Sequence, residues 1–224
     1  MNFIPSYIKL FQNDKLKKRA QSTLGVLKSC RSCPRNCEVD RTRGEYGICQ
    51  SLELPIVSSY TSHFGEEPVL SGNRGAGNIF FGNCNLRCMF CQNYEISQNW
   101  KEEKKNEISF ERLADIMIEL QERNCHNIGL VSPTHFSAVI LKSIYLATEK
   151  GLSLPIIYNT NGYDSVEMLK LYNGVIDIYL PDLKYGDNHH AMTYSKIDNY
   201  LEEAKKAIKE MFNQVGDELV YEGD

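Results

Sequence analysis

Short, continuous apolar runs alternate with amphipathic segments over the second half of the chain. Four apolar runs predict strands at 79–81, 127–131, 154–158 and 175–180. Runs of this length without polar alternation are typical of strands that are buried on both faces of a parallel sheet. Segments with apolar positions three or four residues apart predict helices at about 109–123, 137–150, 165–171 and 198–215. The pattern therefore predicts an α/β fold with about four βα units and right-handed crossovers.

The first 76 residues have a different pattern. Residues 1–28 are typical of amphipathic helix, and residues 50–76 are interpreted as a connector rich in Gly, Ser and Pro. A small Cys-rich segment lies between them. We therefore predict that the chain has two parts. Residues 1–76 form an N-terminal helix and a four-Cys metal-binding segment, and residues 77–224 form the part built from βα units.

Composition and charge narrow the choice of partners. The 224 residues include 25 basic and 29 acidic side chains, which gives a net charge of −4. This balance gives no indication of binding to nucleic acid or to an anionic membrane surface. The sequence has no run of 18 apolar residues and no apolar signal-peptide core. We therefore expect a cytoplasmic protein with no nucleic-acid partner and no membrane partner.

Eight cysteines in such a chain indicate metal ligation, because disulfides are rare in the cytoplasm. One group, Cys84, Cys88 and Cys91, follows the strand predicted at 79–81 with the spacing C-x3-C-x2-C. Three thiolates can hold a [4Fe-4S] cluster and leave one iron without a protein ligand. The alternative is a zinc site whose fourth ligand comes from elsewhere in the chain, such as Cys125 or His126.

The other group, Cys30, Cys33, Cys37 and Cys49, places four thiols within twenty residues. Four such ligands saturate either a zinc ion or a second iron–sulfur cluster, and a closed site of this kind is structural by default. Metal binding would also fold a segment that is too short to bury a core of its own. The alternative is a set of free, buried cysteines.

Polar residues follow the predicted strands. In a parallel sheet of βα units the chemistry takes place at the carboxyl ends of the strands. These ends carry the segments 132–135, 159–162 and 182–184 beside the Cys84 loop. His135 is interpreted either as a proton carrier or substrate contact, or as a structural residue. His63 with Glu66 and Glu67 is a further candidate ligand set, and a solvated loop is the alternative.

Three segments of the chain resemble one family. They are 30–49, 77–97 and 158–185, with the sequences CxxCPRNCxVDRxxGExGxC, GNIFFGNCNLRCMFCQNYEIS and YNTNGYD…DIYLPDLKY. The cysteine spacing, with Phe90 just before the last cysteine, resembles that of the radical S-adenosylmethionine (SAM) enzymes. The wider match resembles the pyruvate formate-lyase-activating-enzyme-like branch of that superfamily. The resemblance implies an oxidoreductase built on a partial (β/α) barrel with parallel strands.

The resemblance also implies cofactors and ligands. Cys84, Cys88 and Cys91 would hold a [4Fe-4S] cluster, and SAM would bind its fourth iron. One electron would cleave SAM to methionine and a 5′-deoxyadenosyl radical, which abstracts hydrogen from the substrate. A monovalent cation can lie beside the SAM carboxylate at the positions of Asn159, Thr160 and Asp182. The residues implied in the SAM pocket are Phe90, Ser132, Thr134, Asn159, Thr160, Asp182 and Lys184.

The resemblance implies two kinds of protein partner. One is a reductant such as flavodoxin or ferredoxin, and the other is a protein substrate, as for an activase of a glycyl-radical enzyme. The alternative function is that of a non-catalytic iron–sulfur or zinc protein, acting as an electron carrier or scaffold. The family's barrel usually has six strands, whereas four are predicted here and 219–221 resembles the start of a fifth. We therefore expect a C-terminally truncated barrel.

Overall fold

Five strands form one sheet in the computed structural model, which describes residues 3–219. The strands are β1 (Val57–His63), β2 (Ala76–Phe81), β3 (Ile128–Val131), β4 (Ile156–Thr160) and β5 (Ile178–Pro181). They are hydrogen-bonded in the order β1-β2-β3-β4-β5. β1 runs antiparallel to β2, and the other neighbours are parallel. The sheet is therefore open and mostly parallel, as in a partial barrel.

Helices connect the parallel strands as crossovers. The α-helices of the described residues are α1 (Ser6–Gln12), α2 (Lys15–Leu24), α3 (Pro68–Ser71), α4 (Tyr94–Gln98), α5 (Trp100–Glu103), α6 (Phe110–Glu122), α7 (Ser137–Glu149), α8 (Val166–Tyr172), α9 (Asn188–Ser195) and α10 (Tyr200–Val215). α6, α7 and α8 follow β2, β3 and β4 respectively. The predicted alternation of parallel strands and helices is therefore confirmed from β2 onward. Residues 220 and 221 of the strand start predicted at 219–221 lie outside the described residues.

The prediction that residues 50–76 form a connector is wrong in part, because these residues contain the strand β1. This strand is rich in Ser, Thr and Tyr, and its exposed residues alternate with more buried ones. A search for continuous apolar runs misses such an edge strand, since one of its faces meets solvent. β1 belongs to the predicted N-terminal part but pairs with β2. The division of the chain at residue 76 stays a prediction.

The N-terminal helices are fixed to the layer of helices around the sheet. Tyr7 is fully buried, and its hydroxyl donates to the carbonyl oxygen of Leu154 at 2.9 Å. The Arg19 guanidinium donates to the carbonyl oxygens of Leu171 and Asn173 at 3.2 and 2.5 Å. These bonds tie α1 to the segment before β4, and α2 to the end of α8. Within residues 3–219, no helix combines the length and the apolar character needed to cross a lipid bilayer.

The parallel strands end at one common edge of the sheet. Phe80 pairs with Val131, Val131 pairs with Asn159, and Thr160 pairs with Pro181. The segments that leave β2, β3, β4 and β5 therefore start next to one another. This register brings the Cys84 loop to the polar segments 132–135, 159–162 and 182–184.

Candidate functional site

A cavity of about 460 Å³ opens at the carboxyl edge of the sheet. It is lined by the loop after β2 and by the ends of β3, β4 and β5. The predicted site residues that line it are Cys84, Cys88, Phe90, Cys91, Ser132, Asn159, Thr160, Asp182 and Lys184. The fold thus brings the three cysteines and most of the expected SAM-pocket residues to one place.

The turn after β2 depends on Gly82 and Asn83. A Cβ atom at Gly82 would lie 2.5 Å from both Glu103 Oε2 and Ile56 Cγ2, so only glycine fits there. Asn83 follows with a φ of 65°, in the left-handed region that Asn tolerates better than most residues. Its side-chain amide donates to the carbonyl oxygen of Gln50 at 2.9 Å and to Ser51 Oγ at 3.1 Å. The cysteine loop is therefore anchored at its start by the segment that follows Cys49.

Hydrogen-bond donors point at two of the three sulfur atoms. Cys84 Sγ accepts from the backbone N–H of Leu86 at 3.4 Å and from Asn161 Nδ2 at 3.6 Å. Cys91 Sγ accepts from the Ser97 hydroxyl at 3.2 Å. Burial raises the pKa of the Cys84 thiol, while the backbone donors of Arg87 and Leu86 oppose that shift. Donors of this kind stabilise a thiolate, which is the form that binds iron.

An aromatic cluster supports the cysteine loop from the side of α9 and α10. The Tyr163 and Tyr200 rings stack at 5.8 Å, and Tyr185 meets Tyr200 edge-on at 5.1 Å. The Tyr200 hydroxyl donates to the carbonyl oxygen of Asn161 at 2.8 Å and accepts from Lys184 N at 2.7 Å. Burial raises the pKa of Tyr200 to about 12, so it stays a neutral donor. The half-exposed Phe90 ring packs edge-on against Tyr185 at 5.8 Å.

The ends of β3, β4 and β5 form the opposite wall of the cavity. Ser132 has a φ of 56°, and its N–H donates to the carbonyl oxygen of Asn159 at 2.9 Å. Asp182 N donates to the carbonyl oxygen of Thr160 at 2.9 Å. Lys184 Nζ lies 2.5 Å from Asp182 Oδ2, so this lysine offsets the carboxylate. The wall therefore presents small polar groups and one ion pair.

Comparison with known proteins agrees with this geometry. The family model of the radical SAM superfamily matches residues 78–221. The chain belongs to the radical SAM superfamily. Membership implies a [4Fe-4S] cluster, SAM and a reductant.

Two curated relatives come from Methanocaldococcus jannaschii. "Uncharacterized protein MJ0674" is 30% identical over 197 residues, which cover 85% of this chain and 56% of that protein. "Uncharacterized protein MJ0808" is 27% identical over 197 residues, which cover 80% of this chain and 56% of that protein. This radical SAM chain thus spans little more than half the length of these relatives. No solved structure matches it.

The residues of the cavity fit the radical SAM cluster. Three thiols share the cavity, and N–H and O–H donors meet two of the sulfurs. Arg87, which also lines the cavity, has a buried Nη1 atom with no hydrogen-bond partner among residues 3–219. A buried guanidinium nitrogen of this kind calls for an anionic partner. An iron–sulfur cluster with three thiolates, or the carboxylate of SAM, would supply one.

The two fourth ligands named for a zinc site at the Cys84 group disagree with the fold. Cys125 and His126 precede β3 and therefore lie at the amino ends of the parallel strands, whereas the cysteine loop lies at their carboxyl ends. Cys125 Sγ lies 3.1 Å from Ser62 Oγ, and His126 Nδ1 lies 3.0 Å from Arg74 Nη2. Neither residue can supply a fourth ligand to Cys84, Cys88 and Cys91.

Thr134 and His135 lie elsewhere than expected. Thr134 is buried behind the cavity wall, where its hydroxyl lies 3.0 Å from Thr160 Oγ1. His135 is buried, and its Nε2–H donates to the carbonyl oxygen of Gly82 at 2.8 Å. Burial lowers the pKa of His135 to about 3. A substrate contact or proton carrier at His135 is therefore not supported, and the structural interpretation agrees with these contacts.

The candidate set at His63, Glu66 and Glu67 does not form a site. The His63 ring packs edge-on against Phe80 at 5.9 Å, and Glu66 Oε1 accepts from Asn78 Nδ2 at 2.7 Å. Glu67 precedes the short helix α3. Within residues 3–219, no three side chains of Cys, His, Asp or Glu converge closely enough to surround a single metal ion.

Two residues of the site region, Arg87 and Asp164, were missed from the sequence, and Asn161 was named only as part of the segment 159–162. Asn161 bonds Cys84 Sγ, Arg87 lines the cavity, and Asp164 is buried behind the wall. Asp164 accepts from the hydroxyls of Thr160 and Tyr158 at 2.5 and 3.1 Å, which fixes Thr160 from behind. Burial raises the pKa of Asp164. Arg87 could have been found from the sequence, because it is a basic residue between Cys84 and Cys88.

Proposed function

We propose that the chain is a radical SAM oxidoreductase in which Cys84, Cys88 and Cys91 hold a [4Fe-4S] cluster. When bound, this cluster supplies the electron that cleaves SAM to methionine and a 5′-deoxyadenosyl radical. The observation that carries the proposal is the single cavity shared by the three thiols and the polar ends of β3, β4 and β5. An electron carrier or scaffold has no need of such a cavity beside its cluster.

The hydrogen-bond donors around the sulfurs would set the electronic properties of a cluster held there. Leu86 N–H and Asn161 Nδ2 bond Cys84 Sγ, and the Ser97 hydroxyl bonds Cys91 Sγ. Hydrogen bonds to ligand sulfurs stabilise negative charge and raise the reduction potential of an iron–sulfur cluster. These donors would therefore tune how readily the centre accepts its electron.

The wall opposite the cysteines would hold SAM. Ser132, Asn159 and Thr160 offer carbonyl, amide and hydroxyl groups, and Phe90 offers an apolar surface. Arg87 and Lys184 are the cations of the cavity that could meet the SAM carboxylate. Because Lys184 already offsets Asp182 at 2.5 Å, the proposal has no need of a monovalent cation at Asp182.

The surface near the cysteines favours a protein substrate, as for an activase of a glycyl-radical enzyme. Met89, Phe90 and Tyr94 are exposed in and just after the cysteine loop, and Leu183 is exposed after β5. Phe90 also lines the cavity. Clustered exposed apolar side chains are typical of protein-interaction sites. A polypeptide loop that lies across these residues would bring its backbone to the cavity.

The proposal is tested by anaerobic reconstitution with iron and sulfide, reduction with dithionite and addition of SAM. We expect about four irons at the Cys84 site and release of 5′-deoxyadenosine and methionine. A cluster that forms but neither binds nor cleaves SAM would favour the electron-carrier alternative.

A second experiment tests the SAM pocket. Lys184→Ala should weaken SAM binding about tenfold, or by about 1.4 kcal/mol, because Asp182 then faces the SAM carboxylate without its counter-charge. Asp182→Asn in the Lys184→Ala background should restore part of that affinity, since it removes the repelling carboxylate. Affinity is measured by titrating SAM against the spectrum of the reduced cluster.

The matched control is Lys206→Ala, because the exposed Lys206 forms an ion pair with the half-buried Glu203 on α10, and neither residue lines the cavity. It should leave SAM affinity unchanged. Equal affinities of Lys184→Ala and the native chain would show that the Lys184–Asp182 ion pair takes no part in SAM binding.

A further inference from the structure

The four N-terminal cysteines also come together in space. Two turns carry the four cysteines. The chain reverses direction in the first turn, where Cys30 N–H donates to the carbonyl oxygen of Val39 at 2.9 Å and the carbonyl oxygen of Cys30 accepts from Glu38 N–H at 3.1 Å. At Gly47 the second turn passes so close that a Cβ atom would lie 3.0 Å from Cys37 Sγ. Cys30, Cys33, Cys37 and Cys49 thus line one small internal cavity.

The size of that cavity distinguishes between metal centres. It has room for a volume of about 10 Å³, which is about one water molecule. A zinc ion holds thiolates at about 2.3 Å, and no water-sized space remains between sulfurs at that distance. Within residues 3–219, no three side chains of Cys, His, Asp or Glu converge as closely as a single metal ion requires. The four thiols that line this cavity are therefore spaced for a polynuclear iron–sulfur centre rather than for one zinc ion.

A buried cation lies at this cavity. Arg41 is 2% exposed and lines the cavity, and no carboxylate of residues 3–219 forms an ion pair with it. Its guanidinium donates to the carbonyl oxygens of Leu52 and His135 and, at 3.8 Å, to Cys30 Sγ. A buried charge without a counter-charge is strongly destabilising. A centre held by four thiolates is anionic and would offset Arg41.

His135 supplies an independent indication of an occupant. Its ring lines the same cavity and is 1% exposed, yet its Nδ1 atom has no hydrogen-bond partner among the described residues. The bond from Nε2–H to Gly82 leaves Nδ1 as an acceptor in the neutral ring. Buried polar atoms rarely lack partners. Two buried groups therefore lie at the cavity that the four cysteines line. Arg41 lacks a counter-charge there, and His135 Nδ1 lacks a hydrogen-bond partner among the described residues.

We propose that Cys30, Cys33, Cys37 and Cys49 hold a second [4Fe-4S] cluster with all four irons ligated by the protein. This centre goes beyond the proposed function and does not depend on it. With no open iron, it should not bind SAM. It lies beside the SAM site, since His135 bonds Gly82 and Arg35 bonds the carbonyl oxygens of Asn85 and Leu86.

The test removes one site at a time. The triple variant Cys84→Ala, Cys88→Ala, Cys91→Ala isolates the N-terminal site and is reconstituted anaerobically with ferrous iron and sulfide. We expect it to bind about four irons and four sulfides per chain, with a reduced electron paramagnetic resonance signal that SAM does not change. One zinc ion per chain with no iron, or no metal at all, would overturn the proposal.

Measurements on the native chain keep the test decisive if the triple variant does not fold. The native chain should bind about eight irons and the double variant Cys33→Ala, Cys37→Ala about four, and SAM should alter only part of the native signal. Four irons in the native chain would overturn the proposal. Cys125→Ala is the matched control, because this buried thiol lies against Ser62 at the amino end of β3. A SAM-insensitive chain with eight irons would count against the proposed function alone.

Discussion

Replacement of Cys84, Cys88 or Cys91 by alanine is expected to abolish SAM cleavage entirely. Each of these cysteines lines the same cavity, and a cluster that keeps only two thiolates has no stable attachment to the loop. The expected loss is complete rather than graded, because no other cysteine of the described residues lines this cavity. The measurement is release of 5′-deoxyadenosine by each reduced variant, together with its iron content and visible spectrum.

Cys125→Ala is the control for this loss as well. Cys125 is more buried than Cys84, Cys88 and Cys91, but it lies before β3, at the amino end of that strand. The control should therefore keep native activity and iron content. Cleavage of SAM by any of the three single variants would contradict the assignment of these ligands.

The parallel sheet was accessible from the sequence because its strands carry their own local signal. β2 ends in a buried apolar run, β3 and β4 begin with one, and the helices between them repeat apolar positions at helical spacing. The ends of such strands must meet at one edge, so the neighbourhood of Cys84, Asn159 and Asp182 followed from strand order alone. The same argument fails for β1, whose polar face carries no apolar run.

The remaining details depend on contacts between distant parts of the chain. Asn161 reaches Cys84 Sγ across 77 positions, and Arg41 reaches the carbonyl oxygen of His135 across 94. Thr134 was expected in the pocket because it follows β3, yet its side chain turns toward Thr160. Periodicity and spacing place a residue on an element, but they do not fix the direction of a side chain in a loop.

Arg35 gives the clearest example of such a contact and the second large expected effect. It lies between Cys33 and Cys37, and its guanidinium donates to four carbonyl oxygens. These belong to Asn85 at 3.1 Å, Leu86 at 3.2 Å, Ser195 at 2.7 Å and Lys196 at 2.8 Å. One side chain thus joins the N-terminal cysteine segment, the Cys84 loop and the end of α9.

Arg35→Ala should lower the free energy of unfolding by about 2–4 kcal/mol, because charged hydrogen bonds are lost and their acceptors stay partly buried. For a chain of this size the melting temperature should fall by about 10 °C. The Cys84 loop should also loosen, so iron should be lost faster from the Cys84 site in air. The measurements are thermal unfolding of the anaerobic, reconstituted protein and the rate at which its visible absorbance bleaches.

Arg31→Ala is the matched control, since Arg31 lies in the same cysteine segment but forms only an exposed ion pair with Glu38 at 2.8 Å. Exposed pairs contribute little to stability, so this variant should melt and bleach like the native chain. Arg35→Lys keeps the charge but cannot reach four carbonyl oxygens with one ammonium group, and it should fall between the two. If Arg35→Ala melted and bleached like Arg31→Ala, the N-terminal segment would not support the Cys84 loop, and the two cysteine groups would be mechanically independent.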